Sequence, residues 1–174
     1  MVPATLILIL AWTLKSMTDS LGATLFIKEM LGSYLGVLSM FIPAFMFVVG
    51  ALIAFATGTS WGTFGILIPM VINIFEGTGS DIMIISMAAC MAGAVCGDHS
   101  SPISDTTIMA SSGAGSDHIG HVTTQIPYVM VVAAVSLVAY LLTAVIHNVL
   151  IILLIGIVMI VTILQVIKRR QIRA

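Results

Sequence analysis

Apolar residues come in blocks along this chain, and the length of each block sets an element. Val2 to Leu14 is apolar, Lys15 and Asp19 interrupt, and Leu21 to Ile27 resumes. Lys15 and Asp19, four apart, would pair on one helical face, making residues 3 to 27 one span; the other reading is a polar loop between two short helices. Tyr34 to Ala56 is long enough to cross a bilayer, with Pro43 inside it as an expected kink. A knot of hydroxyls and glycines follows, Thr57-Gly58-Thr59-Ser60-Trp61-Gly62-Thr63, and then only a short apolar arm to Phe75. An arm of about 14 residues rises roughly 20 Å against a hydrocarbon core of roughly 30 Å, which puts the knot within the membrane depth, in a re-entrant hairpin or broken helix. Irregular backbone at that depth is tolerated only against protein or a water-filled cavity, so the knot should line a site.

Glu76 to Asp81 is an acidic turn without Lys or Arg, which favours an outer loop. Ile82 to Cys96 returns toward the bilayer as a helix. Ala89, Gly93 and Gly97 recur every fourth residue, a stripe that lets another helix approach closely unless it is chance in an Ala/Gly-rich span. Tyr128 to Ile167 holds about 40 nearly unbroken apolar residues, twice what one span needs, so a turn must fall near His147-Asn148, with His147 a simple interfacial turn residue. The two arms then form a hairpin that returns the C-terminus to the side of the loop around Asp117 to Thr124. Nothing alternates like a strand. The expected fold is an all-α, polytopic transmembrane helical bundle with a broken helix and a re-entrant hairpin, one transmembrane domain over residues 1–174.

Composition narrows the class. Of 174 residues 60% are hydrophobic and 7% charged, with mean hydropathy +1.21, too few polar side chains to cover a soluble globule. The expected location is the cell membrane, multi-pass, with the lipid bilayer as partner and no nucleic acid. Lys168, Arg169, Arg170 and Arg173 crowd the end of an apolar run, so residues 168–174 read as a basic cytoplasmic tail. Val2 to Leu14 lacks the cationic start and small-residue site of a cleaved leader. Cys90 and Cys96 stand six apart without a CxxC or a His at zinc spacing and read as buried small hydrophobes.

Against this hydrocarbon, Gly97 to Val129 is the exception: GDHSSPISDTTIMASSGAGSDHIGHVTTQIPYV, with three Asp and three His. Charge near a bilayer centre costs roughly 2.5 to 3.5 kcal/mol per residue, so such a segment marks function. Pro102 should break a helix, freeing the carbonyl of Asp98, while Gly97, Gly113 and Gly115 allow unusual dihedrals. A broken helix offers carbonyls at one end and N–H groups at the other, and discontinuous transporter helices use those ends for cations and anions. Asp98, Ser101 and Asp105 at i, i+3, i+7 would share a face, with Ser104, Thr106 and Thr107 adding hydroxyls. All are hard oxygen donors suited to hard cations. Burial favours a protonated carboxyl and an arriving cation favours the carboxylate, so one Asp holds a proton or a cation in turn. The plainer alternative is that Asp98 and Asp105 only cap helix halves.

Two other patterns compete. Asp117, His118 and His121 form a DHxxH that could ligate zinc, though two His without a third ligand in reach read more simply as an interfacial loop. Gly58-Thr-Ser60-Trp-Gly62 fits the G-x-S-x-G nucleophile elbow, with His99 as a base, which would make an intramembrane serine hydrolase; the elbow needs a strand-to-helix turn.

GDHSSPISDTTIMASSGAG followed by SDHIGHVTTQIPY, with TGTSWGTFGILIPM upstream, resembles the signature of the NhaC-type sodium/proton antiporters. The resemblance implies an ion transporter, not an enzyme, exchanging sodium for protons, or in some relatives exchanging small organic acids with sodium. It points to Asp98, Ser101, Ser104, Asp105 and Thr106 of the broken helix, and to Thr59 and Ser60 of the upstream tip. No cofactor is implied; sodium and protons are cargo. The chain resembles the C-terminal half of such a protein, one half of an inverted-repeat fold, whose expected partner is an N-terminal half or a second copy. A non-transporting membrane subunit is the alternative from another class.

Overall fold

The computed structural model describes Thr13, Met17, Ser20 and residues 39–75, 81–146 and 148–173, with side chains up to residue 169. The expectations for residues 3–27 with the Lys15–Asp19 pair, for the loop 76–80 and for His147 lie outside these. A single 3-10 turn at Ser39–Phe41 leads into α1 (Ile42–Thr57); then come α2 (Ser60–Ile74), α3 (Asp81–Ser100), α4 (Asp105–Gly113), α5 (His118–Leu142) and α6 (Val149–Arg173). No strand occurs among the described residues. Ser39–Thr57, Asp81–Ser100, His118–Leu142 and Val149–Arg169 are long and apolar enough to cross a membrane. The protein is therefore an all-α, multi-pass membrane protein.

Pro43 does not kink α1. It sits in the first turn, where its missing N–H would have had no helical partner, and it starts the helix instead. At the other end Gly58 takes φ 68°, a left-handed conformation that turns the chain at once into α2. A core of Ile42 and Met46 from the start of α1, Leu67, Val71 and Phe75 from the end of α2, and Cys90 of α3 shows that α1 and α2 run antiparallel. At 15 residues α2 is only about 22 Å long, the short arm foreseen for a re-entrant hairpin.

The small-residue stripe on α3 is a packing surface. A Cβ on Gly93 would collide with the Phe47 carbonyl oxygen and one on Gly97 with that of Ala51, while one on Gly50 would meet the Cys90 carbonyl oxygen at 2.8 Å. Residue numbers rise together along both helices, so α1 and α3 run parallel with their backbones nearly touching. Ala89 is fully buried in the same stripe. Of the two expectations for Gly97, close approach holds and a relaxed dihedral does not, since it lies within helix. Cys90 is a buried free thiol and Cys96 a half-buried one.

α5 returns antiparallel to α3, tied to α1 by the Phe47 and Tyr140 rings at 5.5 Å. The expected turn follows α5, and Asn148 caps α6 by accepting from the N–H groups of Leu150 (3.0 Å) and Ile151 (3.4 Å). At the start of α5 the cap is Asp117, whose Oδ2 accepts from the Gly120 N–H at 2.6 Å. Because Asn caps as well as Asp, Asp117→Asn should leave thermal stability unchanged, whereas Asp117→Ala should lower it by about 1 kcal/mol in a detergent melting assay.

Candidate cation site

The helix breaks where the proline demanded. α3 stops at Ser100, Pro102 cannot donate, and α4 starts at Asp105. The Asp98 carbonyl is not left free, however: the Ser101 N–H closes a tighter turn onto it at 3.0 Å. The Ser100 hydroxyl lies 2.9 Å from the carbonyl oxygens of both Cys96 and Gly97. The last turn of α3 is thus sealed by its own serines.

Ser101 is buried and its hydroxyl donates to the Phe55 carbonyl of α1 at 2.7 Å, which pins the break to the end of the hairpin. On the same side a Cβ on Gly58 would stand 2.7 Å from the Ile103 carbonyl oxygen. The hydroxyl knot and the helix break therefore face each other, as two polar interruptions in hydrocarbon should. The C-terminal ends of α1 and α3 and the N-terminal ends of α2 and α4 all meet here. Thr59 caps α2, its hydroxyl 3.4 Å from the Gly62 N–H and its carbonyl accepting from the Thr63 hydroxyl at 2.9 Å. Ser60 is buried at the first position of α2.

At the centre is Asp98, 2% exposed in the last turn of α3. The Ser104 hydroxyl donates to Asp98 Oδ1 in a short bond of 2.6 Å. Thr106 Oγ1 stands 2.7 Å from Ser104 Oγ. With the Ser104 proton directed at Asp98, Thr106 is the donor of that pair, and the hydroxyls form a chain from exposed Thr106 through buried Ser104 to Asp98. Ser104 also caps α4, accepting from the Thr107 N–H at 3.4 Å.

The profile of the Na+/H+ antiporter family matches residues 1–145. The chain belongs to that family. The resemblance to NhaC-type antiporters read from the central motif is borne out by it. An uncharacterized protein of Haemophilus influenzae is 42% identical over 135 residues, 78% of this chain and 26% of that protein. A malate-2H(+)/Na(+)-lactate antiporter of Bacillus subtilis is 35% identical over 64% of this chain and 22% of its own length. An arginine/ornithine antiporter of Halobacterium salinarum is 34% identical over 59% of this chain. The chain spans about a quarter of the length of the curated relatives it matches, 26% and 22% for the first two. No solved structure matches it.

In this antiporter-family chain the expected single face of Asp98, Ser101 and Asp105 does not exist. The i, i+3, i+7 phase requires one continuous helix, and residues 101–104 reset it. Asp98 and Ser101 turn inward, whereas Asp105 and Thr106 are exposed on α4. Neither acid is an N-cap, since Ser104 holds that position for α4 and Asp98 lies inside α3. Gly115 takes φ 62° and Gly113 ends α4 as an ordinary helical residue.

The strand-to-helix turn that a hydrolase elbow needs does not form here. Gly58 to Gly62 joins two helices, and His99 is exposed with Nδ1 3.0 Å from the Val95 carbonyl of its own helix. For the zinc reading, no three His, Cys, Asp or Glu come together among the described residues. Asp117 is used as a cap. His118 is no loop residue: half-buried at the start of α5, it sets Nε2 2.7 Å from the Pro102 carbonyl and Nδ1 3.1 Å from the Ser111 hydroxyl. Nothing in the linear order marked this contact, which joins positions 16 apart.

Proposed function

We propose that this chain carries the cation site of a secondary active antiporter of the cell membrane, in which Asp98 takes up sodium and a proton by turns. The observation that carries the reading is Asp98 itself, buried at the break with the Ser104 hydroxyl on its carboxyl and the Thr106 hydroxyl behind Ser104. An unaccompanied carboxylate is expensive to bury, so a cation is a fitting partner for it there. The negative ends of α1 and α3 add to that preference. Ser101, Thr59 and Ser60 supply the neighbouring oxygens, and Asp105 is a second acid at the mouth. Sodium and protons are cargo, no resident cofactor is invoked, and an N-terminal half or a second copy completes the assembly in the bilayer.

The runner-up is sodium-coupled exchange of a small organic acid. It is favoured by the positive N-terminal ends of α2 and α4 at the same place, and by the malate/lactate relative. Vesicles containing the protein and loaded with a pH dye should show proton movement when a sodium gradient is imposed and none with choline. If malate or lactate is needed as well, the second reading holds; equal proton movement with choline ends both.

The basic cluster from Lys168 onward supports a cytoplasmic C-terminus. A reporter fused after Arg173 should be active only in the cytoplasm, and activity confined to the outer face would reverse the orientation.

A further inference from the structure

We propose that His118 is a positioning residue for the cation site, a clasp that holds the helix break in place whichever charge its ring carries. The inference rests on the cation reading for its functional consequence, and on geometry alone for the clasp.

The break has little backbone bonding of its own. Ser101 N–H reaches Asp98 O at 3.0 Å, Ser104 N–H reaches Ser101 O at 3.3 Å, and the Ile103 N–H approaches the Ser101 hydroxyl at 3.4 Å. Pro102, in the middle, has no N–H to give, and its carbonyl is taken by His118 Nε2 at 2.7 Å. That bond ties the break to the first turn of α5, whose own start is fixed by the Asp117 cap. Through Nδ1 the same ring holds Ser111, in the last turn of α4. One imidazole thus joins the break, α4 and α5, and the Ser104 hydroxyl that faces Asp98 sits between those fixed points.

Proton counting shows why the ring's charge does not matter. A carbonyl only accepts, so Nε2 carries a proton in every state that keeps the short contact. The Ser111 hydroxyl has one proton and two acceptors in reach, His118 Nδ1 at 3.1 Å and the Ile108 carbonyl at 3.0 Å. When the ring is neutral, Ser111 donates to Nδ1. When the ring is an imidazolium, Nδ1–H donates to Ser111 Oγ, whose proton turns to Ile108. Both states keep three joined elements. The other titratable groups on the elements packed against the helix that His118 opens are Asp81, Cys90, Cys96, Asp98 and His99 on α3, Asp105 on α4, His121, Tyr128 and Tyr140 on α5 with its cap Asp117, and Lys168 and Arg169 near the end of α6; α1 carries none.

The test uses the purified full chain in nanodiscs, reading amide exchange at Ile103 and Ser104 and binding of radioactive sodium. His118→Ala should raise exchange at the break and weaken sodium binding by about tenfold, the worth of one to two hydrogen bonds. His118→Gln, whose amide N–H reaches about as far as Nε2 and never titrates, should keep both near the native values, with the same dependence on pH between about 6 and 8 once intrinsic exchange is corrected. Should His118→Ala fail to insert, His118→Asn, which reaches toward Ser111 but not Pro102, carries the same expectation. Native exchange at the break in the shortened variant would overturn the clasp. So would a break that loosens with falling pH in the native chain but not in His118→Gln, since the ring would then be a titrating latch. If the native chain binds no sodium while the exchange pattern holds, the clasp stands and the cation reading falls.

Discussion

Asp98→Asn should abolish sodium binding and sodium-driven proton exchange while leaving the helices in place. Asn has the size of Asp and an oxygen that still accepts the Ser104 hydroxyl at the position now 2.6 Å away, so the break keeps its shape. What would be lost is the charge proposed to balance a desolvated cation. Removing one partner of a buried charge pair costs about 3 to 5 kcal/mol, which is a loss of a hundredfold or more in affinity. Radioactive sodium binding to the chain in nanodiscs and proton flux in vesicles both read it. Asp105→Asn, at an exposed position, should weaken binding several-fold less. If the order is inverted, with Asp105→Asn inactive and Asp98→Asn near native, the buried acid is structural and the exposed one carries the exchange.

Gly97→Ala is the second large effect, and it acts on the fold. The added methyl would strike the Ala51 carbonyl oxygen, and Gly93→Ala would strike that of Phe47. Backbone cannot swing aside as a side chain can, so α1 and α3 must separate along their contact. Overpacking of this kind costs about 1 to 3 kcal/mol, and here it also disturbs the neighbouring Ser101 to Phe55 bond. The melting temperature in detergent should fall clearly for both variants. Gly113→Ala, with nothing within 4 Å of the added methyl, should melt near the native temperature. Equal melting of all three would mean that the two helices stand farther apart than described.

How far the sequence could be read depended on the range of the interaction. The helix break was legible because Pro102 and the hydroxyl run act locally, and the short second arm of the hairpin because rise per residue is fixed. That the hydroxyl knot lines a site followed from the intolerance of hydrocarbon for bare backbone. The relative facing of Asp98 and Asp105 was not legible, since it depends on how four residues of irregular backbone turn. Pro43 was misjudged because a proline reads alike in a kink and in a first turn until the preceding structure is known. Gly97 carried two readings, in the close-packing stripe and as a relaxed dihedral at the break, because a glycine that yields space and one that yields a dihedral look the same; the structure uses it for space. His118 was missed because its partners lie on another element.

The contact between α1 and α3 has a consequence for motion. Where side chains interdigitate, a helix can shift by exchanging rotamers; where backbone lies on backbone, there is no such slack. Phe47 with Gly93, Gly50 with Cys90 and Ala94, and Ala51 with Gly97 lock the two helices in register over about two turns. Any rearrangement that opens the site to one side and then the other must therefore carry α1 and α3 as one body. Among the described residues a looser seam runs along α5, where a cleft of about 640 Å³ lies between Phe47, Val95 and His99 on one wall and Gln125, Tyr128 and Val132 on the other.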